Sequence, residues 1–230
     1  MANQPIMHSK FIASEISPQH AVKNKSGGQS IPLKYKGEAF YMLQSPVMTT
    51  PFGISEYTPD NGPTKFSLEL SFKGHETIPQ VQSFMNTIEN IDKHMIELAV
   101  ANSSEWFGKK MSPEVVAELY RPLLKPSKQP EKYAPTLKMK IRPNRNDETK
   151  LDVQAFTREK ESFDITTIIP GTTAKAIFDI APIWFVNKQF GTTLTLLALE
   201  VHSLPMRHLT SLSFQPEDGE EDFVSSDNDM

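Results

Sequence analysis

The hydrophobic period of this chain changes partway along, and that change limits what it can fold into. Phe66, Leu68, Leu70 and Phe72 alternate with Lys65, Ser67, Glu69, Ser71 and Lys73. A period of two puts the apolar set on one face and the polar set on the other, which predicts a strand in a sheet with one wet face. A few residues later Val81, Phe84, Ile88, Ile91, Met95 and Leu98 recur at steps of three and four. That is the apolar stripe of an amphipathic helix. Thr77 and Gln80 predict a capping box at its start. A second, shorter helix is predicted over 113–120, with Ser112 as N-cap and Pro113 in the first helical position.

Strand patterns flank the helical stretch. Ile31, Leu33 and Tyr35 alternate with Pro32, Lys34 and Lys36, and Gly37 turns the chain into a second strand over 40–47. Residues 51–63, rich in Pro and Gly, predict a loop. Beyond the helices, Leu137, Met139 and Ile141 alternate with Lys138, Lys140 and Arg142. A turn at 144–148 and a return strand over 151–157 follow, with further strand near 164–169. The runs 174–186 and 192–201 predict a hairpin around 187–191. Both its arms are apolar, so it needs a sheet covered on both faces or a small closed barrel.

Three strands, two helices and four or more strands predict a mainly β chain with a helical insert (α+β). The conservative form is an antiparallel sheet interrupted by helices. The same order fits an OB-fold, a small antiparallel Greek-key barrel, with one long and one short helix between strands 3 and 4. A chain of 230 residues can bury one good core. Residues 1–29 are polar and read as a disordered arm. Residues 30–213 read as one domain with its helical insert at 77–121, and residues 214–230 as a disordered acidic tail. From Pro216 onward there are seven carboxylates and no Lys or Arg. The whole chain has 24 basic and 28 acidic residues, so without those seven the body carries 24 against 21, about +3. A mildly basic body is therefore tethered to a polyanion.

Several classes of chemistry are not expected. There is no cysteine, which removes disulfides and thiolate metal sites. The N-terminus has no apolar run of secretory length, and the apolar stretch 194–201 is broken by Thr195 and Glu200. These features predict an intracellular protein with no membrane association. Phosphate-loop, dinucleotide, zinc-protease and nucleophile-elbow motifs are missing. None of the six histidines makes a standard metal spacing, including His202 with His208. Glu159 and Glu161 sit in a polar loop and read as solvated charge. The expectation is no enzyme, no metal and no cofactor.

The basic residues carry more information. Eight cations and one anion lie between Arg121 and Arg145. Side chains two apart on a strand point the same way, roughly 7 Å apart, so Lys138, Lys140 and Arg142 form a row. Three cations alone would read as the solvated face of an ordinary sheet. Arg121, Lys132 and Arg145 beside them, with Tyr133 interleaved, match the composition of a groove that neutralises phosphates and stacks bases. Lys34, Tyr35, Lys36 and Tyr41 form a second candidate group of rings beside cations. Trp184 sits next to Phe185 on the opposite face of its strand, either as core or as a stacking platform, and Lys188 lies in the following turn. Glu220, Glu221 and Asp222 surround Phe223. They read either as a solubilising end or as an arm that competes for the basic groove and docks partners.

The hairpin Ile180-Ala181-Pro182-Ile183-Trp184-Phe185-Val186-Asn187-Lys188-Gln189-Phe190-Gly191-Thr192-Thr193-Leu194 resembles a pattern in OB-fold single-stranded DNA-binding proteins of phages and large DNA viruses. These carry an aromatic-rich strand, a tight turn and a strand of Thr and Leu, and end in an acidic tail. The resemblance covers 163–201 and the tail. It implies an OB-fold, binding of single strands without regard to sequence, no cofactor and replication proteins as partners. Two departures stand out. Several phage members end on an aromatic, whereas Phe223 lies seven residues before the end. The helical insert also exceeds what a minimal OB-fold needs.

The leading expectation is a protein that binds single-stranded DNA in viral replication or recombination, with RNA not distinguished and a homo-oligomer left open. Its compartment would be the host nucleus or a cytoplasmic viral factory. The alternatives are a viral structural or assembly protein without nucleic-acid activity, and an enzyme with an unrecognised site.

Overall fold

Strands β1 (Met48–Thr50), β2 (Lys65–Ser71), β3 (Thr136–Ile141), β4 (Thr172–Ile180) and β5 (Leu194–Ser203) close into a ring. The computed structural model describes residues 4–23, 28–147 and 150–205. The strands run in the order β4-β1-β2-β3-β5, and β5 pairs back onto β4. All neighbours are antiparallel except β3 and β5. Three consecutive strands with the fourth returned beside the first make a Greek key. Closure then gives the small mainly β barrel that the element order predicts. Its interior is built by the alternation read from sequence. Leu68 and Leu70, Leu137 and Met139, Ala176 and Phe178, and Leu194 and Leu196 are all fully buried.

Helices α1 (Pro79–Ala101), α2 (Ser103–Phe107) and α3 (Pro113–Leu119) connect β2 to β3. The α1 stripe Val81, Phe84, Ile88, Ile91 and Met95 faces inward. The Phe84 ring lies 5.7 Å from Phe72 and 6.1 Å from Phe178, so α1 seals the apolar interior. Truncating Phe84 to Ala would cost about 3–5 kcal/mol. The capping box does not form. Pro79 takes the first helical position and leaves Ile78 as N-cap, while the Thr77 hydroxyl donates to the Gly74 carbonyl. Ser112 is the N-cap of α3, followed by Pro113, but its side chain makes no capping bond. At the other end of the long helix, the Asn102 side chain donates to the Leu98 carbonyl at 2.8 Å. Gly108, at φ 73°, ends α2.

The long apolar hairpin is divided between two sheets. Its inner half is β4 and β5 of the barrel. At Pro182, which cannot donate to a ladder, the chain leaves the barrel. Ile183–Val186 then pairs with Gln189–Gly191 and with Gln29–Ile31. Tyr120–Arg121 and Val22–Lys23 complete this second, five-stranded sheet. The Ala181 N–H donates to the Thr193 carbonyl at 2.8 Å and holds the two arms together at the bend. Asn187 and Lys188 have φ of 50° and 66°, the signature of a tight primed turn.

Other segments differ from the sequence expectation. The strand expected over 40–47 is reduced to Leu43–Gln44, separate from β1. The expected loop 51–63 contains a strand, Ile54–Tyr57, paired with the first half of β2. The return strand expected over 151–157 is Gln154–Thr157, and it runs parallel to β5 rather than back along β3. The strand expected near 164–169 is a 3-10 turn, Ile165–Thr167, whose Thr166 N–H donates to Asp164. Pairing partners or a local side-chain bond decided these conformations, and short runs carry too little periodicity to reveal them.

The arm expected over 1–29 is also corrected where it is described. Ile16–Pro18 pairs with Leu33–Tyr35, Phe11 stacks on Tyr35 at 4.5 Å, and buried His8 lies edge-on to Phe84 at 5.4 Å. A few well-placed rings anchor a segment whose average composition is polar. The acidic stretch 214–230 lies outside the described residues. Among the described residues no helix is long and apolar enough to cross a membrane.

Candidate nucleic-acid interface

The outward row of β3 is Thr136, Lys138 and Lys140, with its inward neighbours Leu137, Met139 and Ile141 buried. Across the β2 ladder these face Ser71, Glu69 and Ser67 in turn. Lys65 is exposed at the start of β2. None of Lys65, Lys138 and Lys140 forms an ion pair with a described carboxylate. Burial first, and then the charges of Lys65 and Lys138, push the Lys140 ammonium below the ordinary lysine range. Three like charges are thus held close with one carboxylate, Glu69, across the ladder from Lys138, and an anionic ligand would relieve the remaining repulsion.

An open groove lies at each end of this row. The first, about 720 Å³, is lined by Thr136, Glu69, Ser71, Phe52, Tyr133 and the lysines at 73, 125, 128 and 132. Phe52 and Tyr133 are 57 % and 56 % exposed, so both present ring faces to the groove's solvent. Lys132 Nζ lies 5.3 Å from the Tyr133 ring centroid, a cation–π distance. Four lysines and one glutamate give this groove a net positive charge. Its Phe52 wall is fixed by the neighbouring Gly53, at φ 64°. A Cβ there would meet the Ile168 carbonyl oxygen at 2.7 Å, so only glycine lets the loop pack this closely.

The second groove, about 670 Å³, is lined by Lys140, Trp184, Pro182, Val186, Asn187 and Gln189, with Ser30 and Thr193. Trp184 is half-buried and lies across the ladder from Gly191. A Cβ on Gly191 would sit 2.9 Å from the Trp184 ring. The absence of that side chain therefore seats the indole. Thr136 lines one groove and Lys140 the other. Four residues of strand separate them by about 13 Å, so β3 links both grooves along one face.

The expected site residues fall into distinct places. Lys132, Tyr133, Lys138, Lys140 and Trp184 are brought together on this face. Lys188 is exposed at the tip of the turn beside the second groove, and Arg145 is exposed in the segment after β3. Arg121 donates from Nε to the Gln189 side chain at 2.9 Å, at the edge of the second sheet. Arg142 is partly engaged. It donates to the Thr195 hydroxyl at 3.2 Å and pairs with Asp179 at 3.6 Å. The second candidate group is corrected. Tyr35 and Tyr41 are 4 % and 6 % exposed and stack with Phe11 in the core. Their neighbours Lys34 and Lys36 line neither groove. Packing on Phe11 takes both rings into the core, and Lys36 Nζ covers the Tyr35 ring at 5.6 Å from its centroid. Glu220, Glu221, Asp222 and Phe223 lie outside the described residues.

Sequence reasoning missed Phe52, Glu69 and Lys73 as groove residues, and Lys65 as part of the lysine face. Lys65, Glu69 and Lys73 were legible as the wet face of β2, and only barrel closure shows that this face adjoins the β3 lysines. Phe52 gave a weak signal, an apolar residue between Pro51 and Gly53 in a polar loop.

No curated protein matches the sequence. Among solved structures, the chain is similar to gp2.5, a single-stranded DNA-binding protein encoded by bacteriophage T7. The TM-score is 0.51 at 12 % identity, covering 77 % of this chain and 99 % of that one. At that identity the likeness shows the barrel fold alone. The single-stranded DNA-binding protein of bacteriophage Enc34 in complex with single-stranded DNA matches at 13 % identity and a TM-score of 0.44, covering 81 % of this chain and 94 % of that one. Residues 71–211, more than half of the sequence, match the model of the Family of unknown function (DUF5871), and the chain belongs to that family.

Proposed function

We propose that this protein binds single-stranded nucleic acid, DNA in the first instance, along the outer face of β3. The observation that carries the reading is the continuity of that face. Unpaired Lys65, Lys138 and Lys140 lie between two grooves, one walled by Phe52 and Tyr133 and the other by Trp184. Cations placed along a strand neutralise phosphates and release counterions. Exposed rings stack unpaired bases of any identity, which favours single strands over duplex. The work needs no catalytic group and no cofactor. The fold is that of gp2.5, a single-stranded DNA-binding protein encoded by bacteriophage T7, which supports the reading by analogy.

The wider role follows from the same reading. A single-strand binder serves replication or recombination, in keeping with the viral resemblance. The acidic C-terminal residues would compete for the basic face and, once displaced by DNA, contact replication proteins. Fluorescence anisotropy with a labelled dT oligomer, against duplex of equal length across a salt titration, tests the core of this. Tight, salt-steep binding to the single strand with weak duplex binding is expected. If neither the full chain nor a tail-deleted form binds, the reading fails and a structural or assembly role takes its place.

A further inference from the structure

One carboxylate does not belong in a phosphate track. Glu69 is only 6 % exposed, yet it lines the groove between Phe52 and Tyr133, surrounded by lysines. It accepts from Lys125 Nζ at 3.2 Å through one oxygen and from the Thr136 hydroxyl at 2.7 Å through the other. On β3 it faces Lys138 directly. An ionised carboxylate has about four lone-pair sites, and two are used. A phosphate placed against Glu69 would meet like charge, so the nucleic-acid backbone must pass along the lysines at the rim. What reaches the floor must be a hydrogen-bond donor, flat enough to lie against the rings.

We propose that the Phe52–Tyr133 groove is a nucleobase subsite in which Glu69 accepts a hydrogen bond from an amino group on the base edge. The subsite takes cytosine, adenine or guanine in preference to thymine or uracil. Cytosine N4 and adenine N6 each offer an N–H to a carboxylate, as glutamate and aspartate accept from cytosine in duplex recognition. Uracil and thymine carry a carbonyl oxygen at the corresponding position, and two acceptors facing each other repel. The inference rests on the binding reading above and adds to it a base preference at one point of an otherwise sequence-tolerant track.

Oligo-dC and oligo-dU differ at that ring position and are matched in ring size. At mildly alkaline pH, where cytosine is unprotonated, the protein should bind oligo-dC about fivefold or more tightly. Oligomers carrying N4,N4-dimethylcytosine, which has no amino hydrogen, should fall to the oligo-dU level. That comparison needs no variant. Glu69→Gln, whose amide can donate to a carbonyl, should erase or reverse the preference. Equal binding of oligo-dC and oligo-dU, tight and salt-steep, would overturn the subsite and leave single-strand binding standing. So would a preference that survives dimethylation or, in a folded Glu69→Gln protein, survives the substitution. Failure to bind either oligomer would sink both readings together.

Discussion

Asp92 shows how much one side chain can hold. It lies on the buried face of α1 and accepts from the Tyr120 hydroxyl at 2.6 Å and the Leu123 N–H at 2.9 Å, with the Leu124 N–H at 3.3 Å. It thereby ties the helix to the strand that enters the second sheet. Burial raises its pKa, and the bonds from Leu123 and Tyr120 only partly offset this. Asp92→Ala would leave a buried hydroxyl and a buried N–H unpaired and should cost about 3 kcal/mol in chemical denaturation. Because the folded pKa is raised, the carboxyl's favourable share is complete below its unfolded value of 3.8 and is lost as pH rises through the folded value. Glu200 has the opposite sign. The hydrogen bond from Lys160, joined by His202 and Lys175, holds its pKa down to about 2 from 4.5. Its contribution is present above 4.5 and is lost as pH falls toward 2. In Glu200→Gln, urea melts across that window should lose about 1–2 kcal/mol of pH dependence, allowing for the exposed Lys160 end. Gly191 acts through what it lacks. Gly191→Ala would place a Cβ 2.9 Å from both the Trp184 ring and the Arg121 carbonyl oxygen. A cost of about 1–3 kcal/mol is expected, with a few degrees off Tm and a changed tryptophan emission. An unchanged spectrum would mean that the indole does not rest on that glycine.

At the scale of elements, β3 serves both the core and the surface. Its inward residues fill the barrel, and its outward lysines can change without touching them. Lys138 and Lys140 are therefore the pair to substitute, whereas Arg142 is tied to Asp179 and Thr195 and would disturb the barrel. Lys138→Gln with Lys140→Gln should weaken single-strand binding for every sequence. The slope of log affinity against log salt should become shallower by about 1.4, from roughly 0.7 per phosphate contact. An unchanged slope would remove β3 from the interface. The elements that were legible in sequence are those with a long unbroken period: β2 over seven residues, β3 over six and α1 over six turns. The apolar hairpin was legible as a hairpin but not as two sheets, because the break at Pro182 falls inside a continuous apolar run. Ile16–Pro18 and Ile54–Tyr57 were invisible, since three or four residues acquire their conformation from a partner strand.

The whole molecule explains why half of the candidate site was readable and half was not. The lysine row belongs to one strand, so its spacing is printed in the sequence. Of the rings beside it, Tyr133 and Trp184 were named from their neighbours in sequence, whereas Phe52 comes to the same face only when the barrel closes. Local neighbourhood even misled, because Tyr35 adjoins lysines in sequence and packs on Phe11 in space. Charge is the one property that spans the entire chain regardless of fold. About +3 on residues 1–215 is set against seven carboxylates in the last fifteen. If the acidic residues compete for the β3 face as proposed, tethering would give them an effective concentration in the millimolar range, and they would need no high affinity. Deleting Pro216–Met230 should tighten single-strand binding by about tenfold at low salt. The gain should shrink as salt rises, because the competitor is screened like the ligand it imitates. Anisotropy titrations of both forms at several salt concentrations check this. Equal affinities at every concentration would mean that the acidic residues never occupy the β3 face, and their role would then lie entirely with partner proteins.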